Sequence, residues 1–433
     1  MEIQRGYYLD KLLSRRGNGL IKIITGVRRC GKSYLLNTIF YRYLISSGVP
    51  EDHIIRFAFD SADDLELIGE KLIEIYKQKR KADPEKFMAY IRAKLTGSGT
   101  YYLLLDEVQL LDSFEAVLNG YLRKDSLDVF VTGSSAQFLS SDIITEFSGR
   151  GDEIRMYPLS FSEFMSVYPG DRYQGLSAYM LYGGIPMVVL RENAADKAAM
   201  LERLFREIYI SDIVLRHKVR NRSDLEDLLN VVSSSVGSLT NPEKLRNTFH
   251  SVKKSRISAA TIKKYLDCFE DSFLLEAASR YDLKGKAYIN SAQKYYFTDL
   301  GLRNARLSFR QNEPTHAMEN LIYNELRRRG CRVDVGIVPI SETNREGKLI
   351  RKQLEIDFVC SFGASRYYIQ SAYSMPDAEK KAQEARPFRK IDDSFRKIIV
   401  TGDMVPTQYD EAGILTMNIY DFLLDPHSLE RQP

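Results

Sequence analysis

At 433 residues, with 44% hydrophobic and 11% aromatic residues, the chain is too long for one ordinary domain and too apolar for a disordered one, so two to four folded domains are expected. The net charge is only +4, but residues 211–310 hold 18 Lys and Arg against 11 Asp and Glu, which makes the middle the basic part of the chain. Four scattered cysteines (Cys30, Cys268, Cys331 and Cys360) form no CxxC pair, the N-terminus is charged where a signal peptide is apolar, and no apolar run reaches the roughly 18 residues of a membrane span; a disulfide framework, a zinc site and a membrane partner are excluded, and a cytoplasmic setting fits best.

In chain order, the first informative element is "LIKIITG", a buried strand by its β-branched content. It runs into "GVRRCGKSY", in which Gly26, Gly31, Lys32 and Ser33 match G-x-x-x-x-G-K-[ST], and then into "KSYLLNTIFYRYLISSG", a helix by apolar spacing that ends at Gly48. Strand, glycine loop and helix form a phosphate cradle. The backbone N–H groups of Gly26, Val27, Arg28, Arg29, Cys30, Gly31, Lys32, Ser33 and Tyr34 face the anion, Lys32 reaches the β and γ phosphates, and Ser33 is the Mg²⁺ ligand.

"IIRFAFD", ending at Asp60, supplies the remaining strand between this loop and the next motif. "GTYYLLLDEVQLL" is a fully apolar strand that stops at Asp106 and Glu107, 74 residues after Lys32. Such a strand is buried in a parallel sheet and delivers its acids to the carboxyl edge, where ligands bind. Asp106 is expected to hold Mg²⁺ through water, and Glu107 to orient and deprotonate the attacking water. The strand "LDVFVTGSS" follows. Thr132 or Ser134 at its end is placed to sense a γ-phosphate, or forms a plain strand-end turn. Arg150, between two glycines, reads either as a finger toward a neighbouring subunit's nucleotide or as a turn arginine.

"TGVRRCGKS", "YLLLDEVQ", "VTGSS", "SGRGDEIRMYPLSFSEF", "YGGIPMVV" and "REIYISDIV" together resemble the AAA-type ATPases of bacteria and archaea that carry a C-terminal uncharacterised nuclease-like domain. The resemblance covers nearly the whole chain. It implies a five-stranded parallel core, ATP rather than GTP at Gly26 to Ser33, the roles given above for Asp106 and Glu107, and Arg150 as a candidate arginine finger, which to work would need a neighbouring copy of the chain in a homo-oligomer; Ser134 stays the sensor candidate given above.

Further along, Leu176 to Ile213 is helical, broken at "GGIP", and suits a lid. The helix that begins at Ser258, followed by two strands around a Lys-Gly-Lys turn, has the form of a winged helix. Lys253, Lys254, Arg256, Lys263, Lys264, Lys284 and Lys286 are its phosphate-contact candidates for non-specific DNA binding; the alternative is a basic face used for a protein partner. In the last third, Glu319 on a helix, Asp357 on a strand and Gln370 on the next strand resemble the restriction-endonuclease-like fold. Gln370 stands where that pattern has an acid and Ala372 where it has a lysine, so a degenerate domain is expected, with Lys380 or Lys381 as the substitute cation if it cleaves.

The expected fold class is therefore α/β, an AAA-type P-loop NTPase core with a parallel sheet and helices on both faces (residues 1–170), a helical lid (171–222), a winged-helix module (223–310) and a nuclease-like domain (311–433). The expected function is ATP binding and hydrolysis that switches DNA contacts. A slow nucleotide switch working through protein contacts and an ATP-dependent DNA nuclease are the alternatives.

Overall fold

The computed structural model describes residues 3–133, 149–253, 257–311, 313–343 and 348–431. It divides into two compact units, Met1–Pro158 and Leu159–Pro433. Among the described residues no helix is long and apolar enough to cross a membrane. All four cysteines are buried and free.

The first unit is built on a five-stranded sheet of β1 (Ile21–Thr25), β2 (Ile54–Ala58), β3 (Tyr101–Asp106), β4 (Leu127–Thr132) and β5 (Gly151–Arg155), in the order β2-β3-β4-β1-β5. Every neighbouring pair is parallel, with Ala58 opposite Asp106, Leu105 opposite Val131, and Ile24 opposite Thr132. A sheet covered on both faces needs apolar residues at successive positions, which is why β1 and β3 are buried throughout. One face packs Ile21, Ile23, Phe57, Leu103, Leu105 and Val131 against Phe87, Ile91, Phe114 and Leu118 from the covering helices. Lys22 breaks the apolar run of β1, yet it is 1% exposed because its ammonium pairs with Asp128 of the adjacent β4.

All strands being parallel, β1, β3 and β4 deliver Gly26, Asp106 and Thr132 to the same edge. Because β4 lies between β1 and β3, Thr132 stands between the glycine loop and the acids. β2 lies between them in the chain but outside them in the sheet, as an edge strand.

The second unit begins with helices Phe161–Met165, Arg172–Tyr182, Pro186–Val189 and Ala194–Arg203, and continues through Arg222–Ser234, Pro242–Lys253 and Ala259–Asp271. Its sheet has eight strands: β6 (Leu275–Asp282), β7 (Ala287–Phe297), β8 (Arg332–Thr343), β9 (Leu349–Phe362), β10 (Ser365–Ala372), β11 (Arg396–Thr401), β12 (Gln408–Tyr409) and β13 (Ile414–Asn418). Their order is β12-β13-β11-β10-β9-β8-β6-β7. The hairpin β6–β7 turns at Lys284–Lys286, where Asp282 accepts from the N–H groups of Lys284 and Gly285 and Lys286 takes φ 51°. This hairpin is not a free-standing wing. β6 pairs in parallel with β8, with Tyr281 opposite Gly336, so one sheet runs across residues 275–418.

Candidate functional site

The glycine loop is shaped by what surrounds it. Gly26 has φ 137°, and a Cβ there would stand 2.0 Å from the carbonyl oxygen of Met156, so only glycine lets the chain pass the end of β5. Gly31, at φ 103°, caps the helix that starts at Lys32. Arg29 between them is also left-handed, at φ 65°. Val27 and Cys30 are buried under the loop, while Ser33 and Tyr34 face solvent. Backbone conformations of mixed hand suit a concave anion nest, although the N–H of Cys30, expected to face the anion, is donated to the carbonyl of Val27 at 3.3 Å.

Lys32 is 5% exposed, and its ammonium donates to the carbonyls of Gly26 at 2.9 Å and Val27 at 3.3 Å. The loop is braced from outside by Arg5, which precedes the helix Gly6–Leu13. Its guanidinium donates to the carbonyls of Cys30 at 3.0 Å and Tyr157 at 2.7 Å. The hydroxyl of Tyr8 accepts from the N–H of Tyr157 at 2.9 Å.

Asp106 is the hub of the edge. One carboxylate oxygen accepts from the Ser33 hydroxyl at 3.1 Å and from the Thr132 hydroxyl, and the other accepts from the Asn37 amide at 3.2 Å. Asn37 lies one turn beyond Ser33, in a π-helical stretch, Leu35–Phe40, a rare widening that recurs at functional sites. Burial raises the proton affinity of Asp106, the hydroxyls of Thr132 and Ser33 oppose that rise, and the charges of Glu107 and Asp60 add to it. Glu107 follows in a left-handed conformation, φ 51°, with its N–H donated to the Thr132 hydroxyl at 3.2 Å and its carboxylate accepting from Gln109. Thr132 thereby ties the two acids together.

Gly26, Lys32, Ser33, Asp106, Glu107 and Thr132 thus come together at one edge. Ser134 lies outside the described residues. Arg150 sits at the opposite edge, where its carbonyl accepts from Ile21 at the start of β1 and its side chain touches Asn119 at 3.4 Å. Five residues of β1 separate it from its own glycine loop, roughly 16 Å.

Of the basic candidates, Lys254 and Arg256 lie outside the described residues and Lys253 closes its helix. Lys264, Lys284 and Lys286 are exposed. Lys263 is exposed too, but it pairs with Asp267 one turn on at 3.0 Å. In the second unit Glu319 and Asp357 come together, both accepting from Lys294. Gln370 is beside them, its amide oxygen 3.5 Å from the N–H of Asp357. Lys380 instead pairs with Glu384 at 2.6 Å.

Arg5, Asn37, Lys294 and Glu355 were not singled out by the sequence. Asn37 carries a usable signal, since it stands four residues after Ser33 on one helix and so shares its face. Glu355 carries one too, since it stands two residues before Asp357 on one strand and so shares its face, whereas Arg5 and Lys294 act through contacts distant in the chain and carry none.

Residues 18–165 match the family described as an AAA domain, and residues 173–313 match a domain of unknown function. An uncharacterized protein of Haemophilus influenzae is 33% identical over 429 residues, covering 98% of each chain. An uncharacterized protein of Methanocaldococcus jannaschii is 27% identical over 404 residues, covering 88% of this chain and 82% of its own. Among solved structures, the Aeropyrum pernix ORC1 protein in complex with DNA covers 71% of this chain and 92% of its own at 12% identity, with a TM-score of 0.34. AMPPCP-bound DnaA from Aquifex aeolicus covers 63% and 89% at 14% identity, with a TM-score of 0.31. Likenesses this slight carry no argument.

Proposed function

We propose, for a chain that belongs to one family with the uncharacterized Haemophilus influenzae protein and holds an AAA domain at residues 18–165, that it binds ATP with Mg²⁺ and hydrolyses it. The observation that carries this reading is the hub at Asp106, which draws Ser33, Asn37 and Thr132 onto one carboxylate beside the glycine loop. The cradle fits a triphosphate: the conformations at Gly26, Arg29 and Gly31 suit an anion nest, and Lys32 is the cation at its mouth. Ser33 and Asp106 are the oxygens that would hold Mg²⁺, which supplies positive charge against the phosphate oxygens when bound. Lys32 exchanges its loop carbonyls for phosphate oxygen. Glu107 orients the attacking water and takes its proton, while Thr132 keeps the Glu107 backbone in register with Asp106 and Gln109 holds the Glu107 carboxylate.

The distance of Arg150 from its own loop favours a role on a second copy of the chain, where it would stabilise charge on the leaving phosphates. Nucleotide state then switches contacts made by the second unit. Exposed Lys264, Lys284 and Lys286 support non-specific contacts to DNA phosphates. One observation favours a protein partner instead. The helix Ala259–Asp271, which buries Ile262, Tyr265, Leu266, Cys268 and Phe269, sets Lys263 and Lys264 among Asp267, Glu270 and Asp271 rather than in a purely basic face. The C-terminal sheet is read as a binding or scaffolding element.

Steady-state ATP hydrolysis with and without duplex DNA, with Glu107→Gln as the blank, tests both readings. Turnover that Glu107→Gln lowers about 100-fold or more supports hydrolysis at this edge. Turnover that rises with DNA and falls back as salt goes from about 50 to 200 mM supports DNA, and turnover indifferent to DNA at all salts supports a protein partner.

A further inference from the structure

Lys294 of β7 is 4% exposed, and its ammonium meets three carboxylates: Glu319 at 2.8 Å, Glu355 at 2.8 Å and Asp357 at 3.3 Å. The ammonium donates hydrogen bonds to Glu319 and Asp357 and is ion-paired with Glu355, so its positive charge is shared among all three carboxylates. The acids come from separate elements, Glu319 from the helix Pro314–Arg328 and Glu355 and Asp357 from β9. Glu319 is held further by the Tyr296 hydroxyl at 2.7 Å, and Asp357 accepts from the N–H of Ser371 at 2.9 Å.

The centre is also roofed. Gly237, at φ 72°, passes so close that a Cβ there would stand 3.2 Å from a carboxylate oxygen of Glu319. The turn that carries it is strapped to β7, with Gly237 donating to Tyr295 at 3.1 Å and Thr240 exchanging two bonds with Gln293.

A magnesium-sized ion needs the oxygens this ammonium already takes, at about 2.0–2.1 Å. As the side chains stand, with the Lys294 ammonium among these carboxylates, no three His, Cys, Asp or Glu of the described residues are arranged to hold a metal ion. The residues therefore do not fit the divalent centre that a nuclease-like sheet would need. We propose that Lys294 is a built-in substitute for that cation. Its ammonium fills the place between Glu319, Glu355 and Asp357, the centre takes no divalent metal and cleaves nothing, and the three ion pairs fasten β7 and the helix Pro314–Arg328 to β9. Ala372 leaves no lysine on β10, so the positive charge comes from a strand outside the usual pattern. This inference is independent of the nucleotide reading.

Mn²⁺ titration of the full chain without nucleotide, followed by the EPR signal of free Mn²⁺, tests it. Wild type and Glu355→Gln, which alters the most exposed member of the centre, are expected to bind the same number of ions, any of them lying elsewhere. Folded Lys294→Gln is expected to gain one Mn²⁺, lost again in Lys294→Gln with Asp357→Asn. A wild-type ion that disappears in Glu355→Gln overturns the proposal, as does a folded Lys294→Gln that gains none. The first comparison needs no change at Lys294 and decides the matter if that variant does not fold.

Discussion

At the residue scale, the phosphate edge divides into groups that would touch the nucleotide and groups that hold those in place. Lys32 is of the first kind. Lys32→Ala removes one charge-assisted contact to phosphate, and since such contacts contribute about 1.5–3 kcal/mol, ATP affinity is expected to fall about 10- to 100-fold in an equilibrium titration; the carbonyls of Gly26 and Val27 lose their buried donor as well, so the Tm also falls. Arg5 is of the second kind. Arg5→Ala leaves the carbonyls of Cys30 and Tyr157 without their buried donor, so a loss of about 2–3 kcal/mol in denaturant unfolding is expected, together with weaker ATP binding. The two variants separate because Lys32 would touch the nucleotide and Arg5 would not, so Lys32→Ala is expected to lose more affinity for a given loss of stability. Lys32 was legible because its motif is contiguous. Arg5 was not, because its partners stand 25 and 152 residues away and nothing local marks the pairing.

At the element scale, two joints in the second unit make distinct demands. The turn at Gly183–Gly184 is closed by Asp299, which caps the helix Leu300–Arg306 and accepts from the N–H of Gly184 at 2.7 Å. A Cβ on Gly183 would meet the Asp299 carboxylate at 2.1 Å, and its φ is 72°. Gly183→Ala is therefore expected to destabilise the protein by about 1–3 kcal/mol, seen as a lower midpoint in denaturant.

The second joint is at Glu270, whose carboxyl is pushed up to about 7, first by burial, then by Asp267, with Asp271 and Glu276 adding and Lys263 opposing. Tyr295 of β7 faces it as well. A carboxyl raised on folding binds its proton more tightly folded than unfolded, so stability from this group is full below about 4.5 and is lost as pH rises to about 7. Glu270→Gln removes the loss. The variant is expected to match wild type near pH 4 and to exceed it by about 1–2 kcal/mol at pH 8, read as Tm against pH.

The helix break at "GGIP" was legible from glycine and proline. Its clamp by Asp299 was not, because the carboxylate arrives from 115 residues further along.

At the scale of the molecule, most of the parallel sheet of the first unit could be read from the chain because β1, β3 and β4 are largely apolar runs ending at the marked residues Gly26, Asp106 and Thr132, whereas β5, Gly151–Arg155, has no such pattern. In the second unit the hairpin β6–β7 was equally legible, but its membership in a larger sheet was not. That membership rests on the parallel pairing of β6 with β8, which begins some 50 residues later and leaves no local pattern. The same distance hid Lys294, whose acids all lie beyond residue 313. β6 and β7 therefore depend on partners outside the match that spans residues 173–313.

A chain cut after residue 313 would strip β8 from β6, and with it the Asn320 amide that brackets Phe297. The backbone edge of β6 at Arg280–Asp282 would be left open, the template on which copies of a polypeptide stack. Such a fragment is expected to accumulate as insoluble material on expression, while the full chain stays in the supernatant after centrifugation. The physical unit that would have to be inherited, shuffled or engineered as a block is accordingly larger than residues 173–313, the stretch matched by the domain of unknown function.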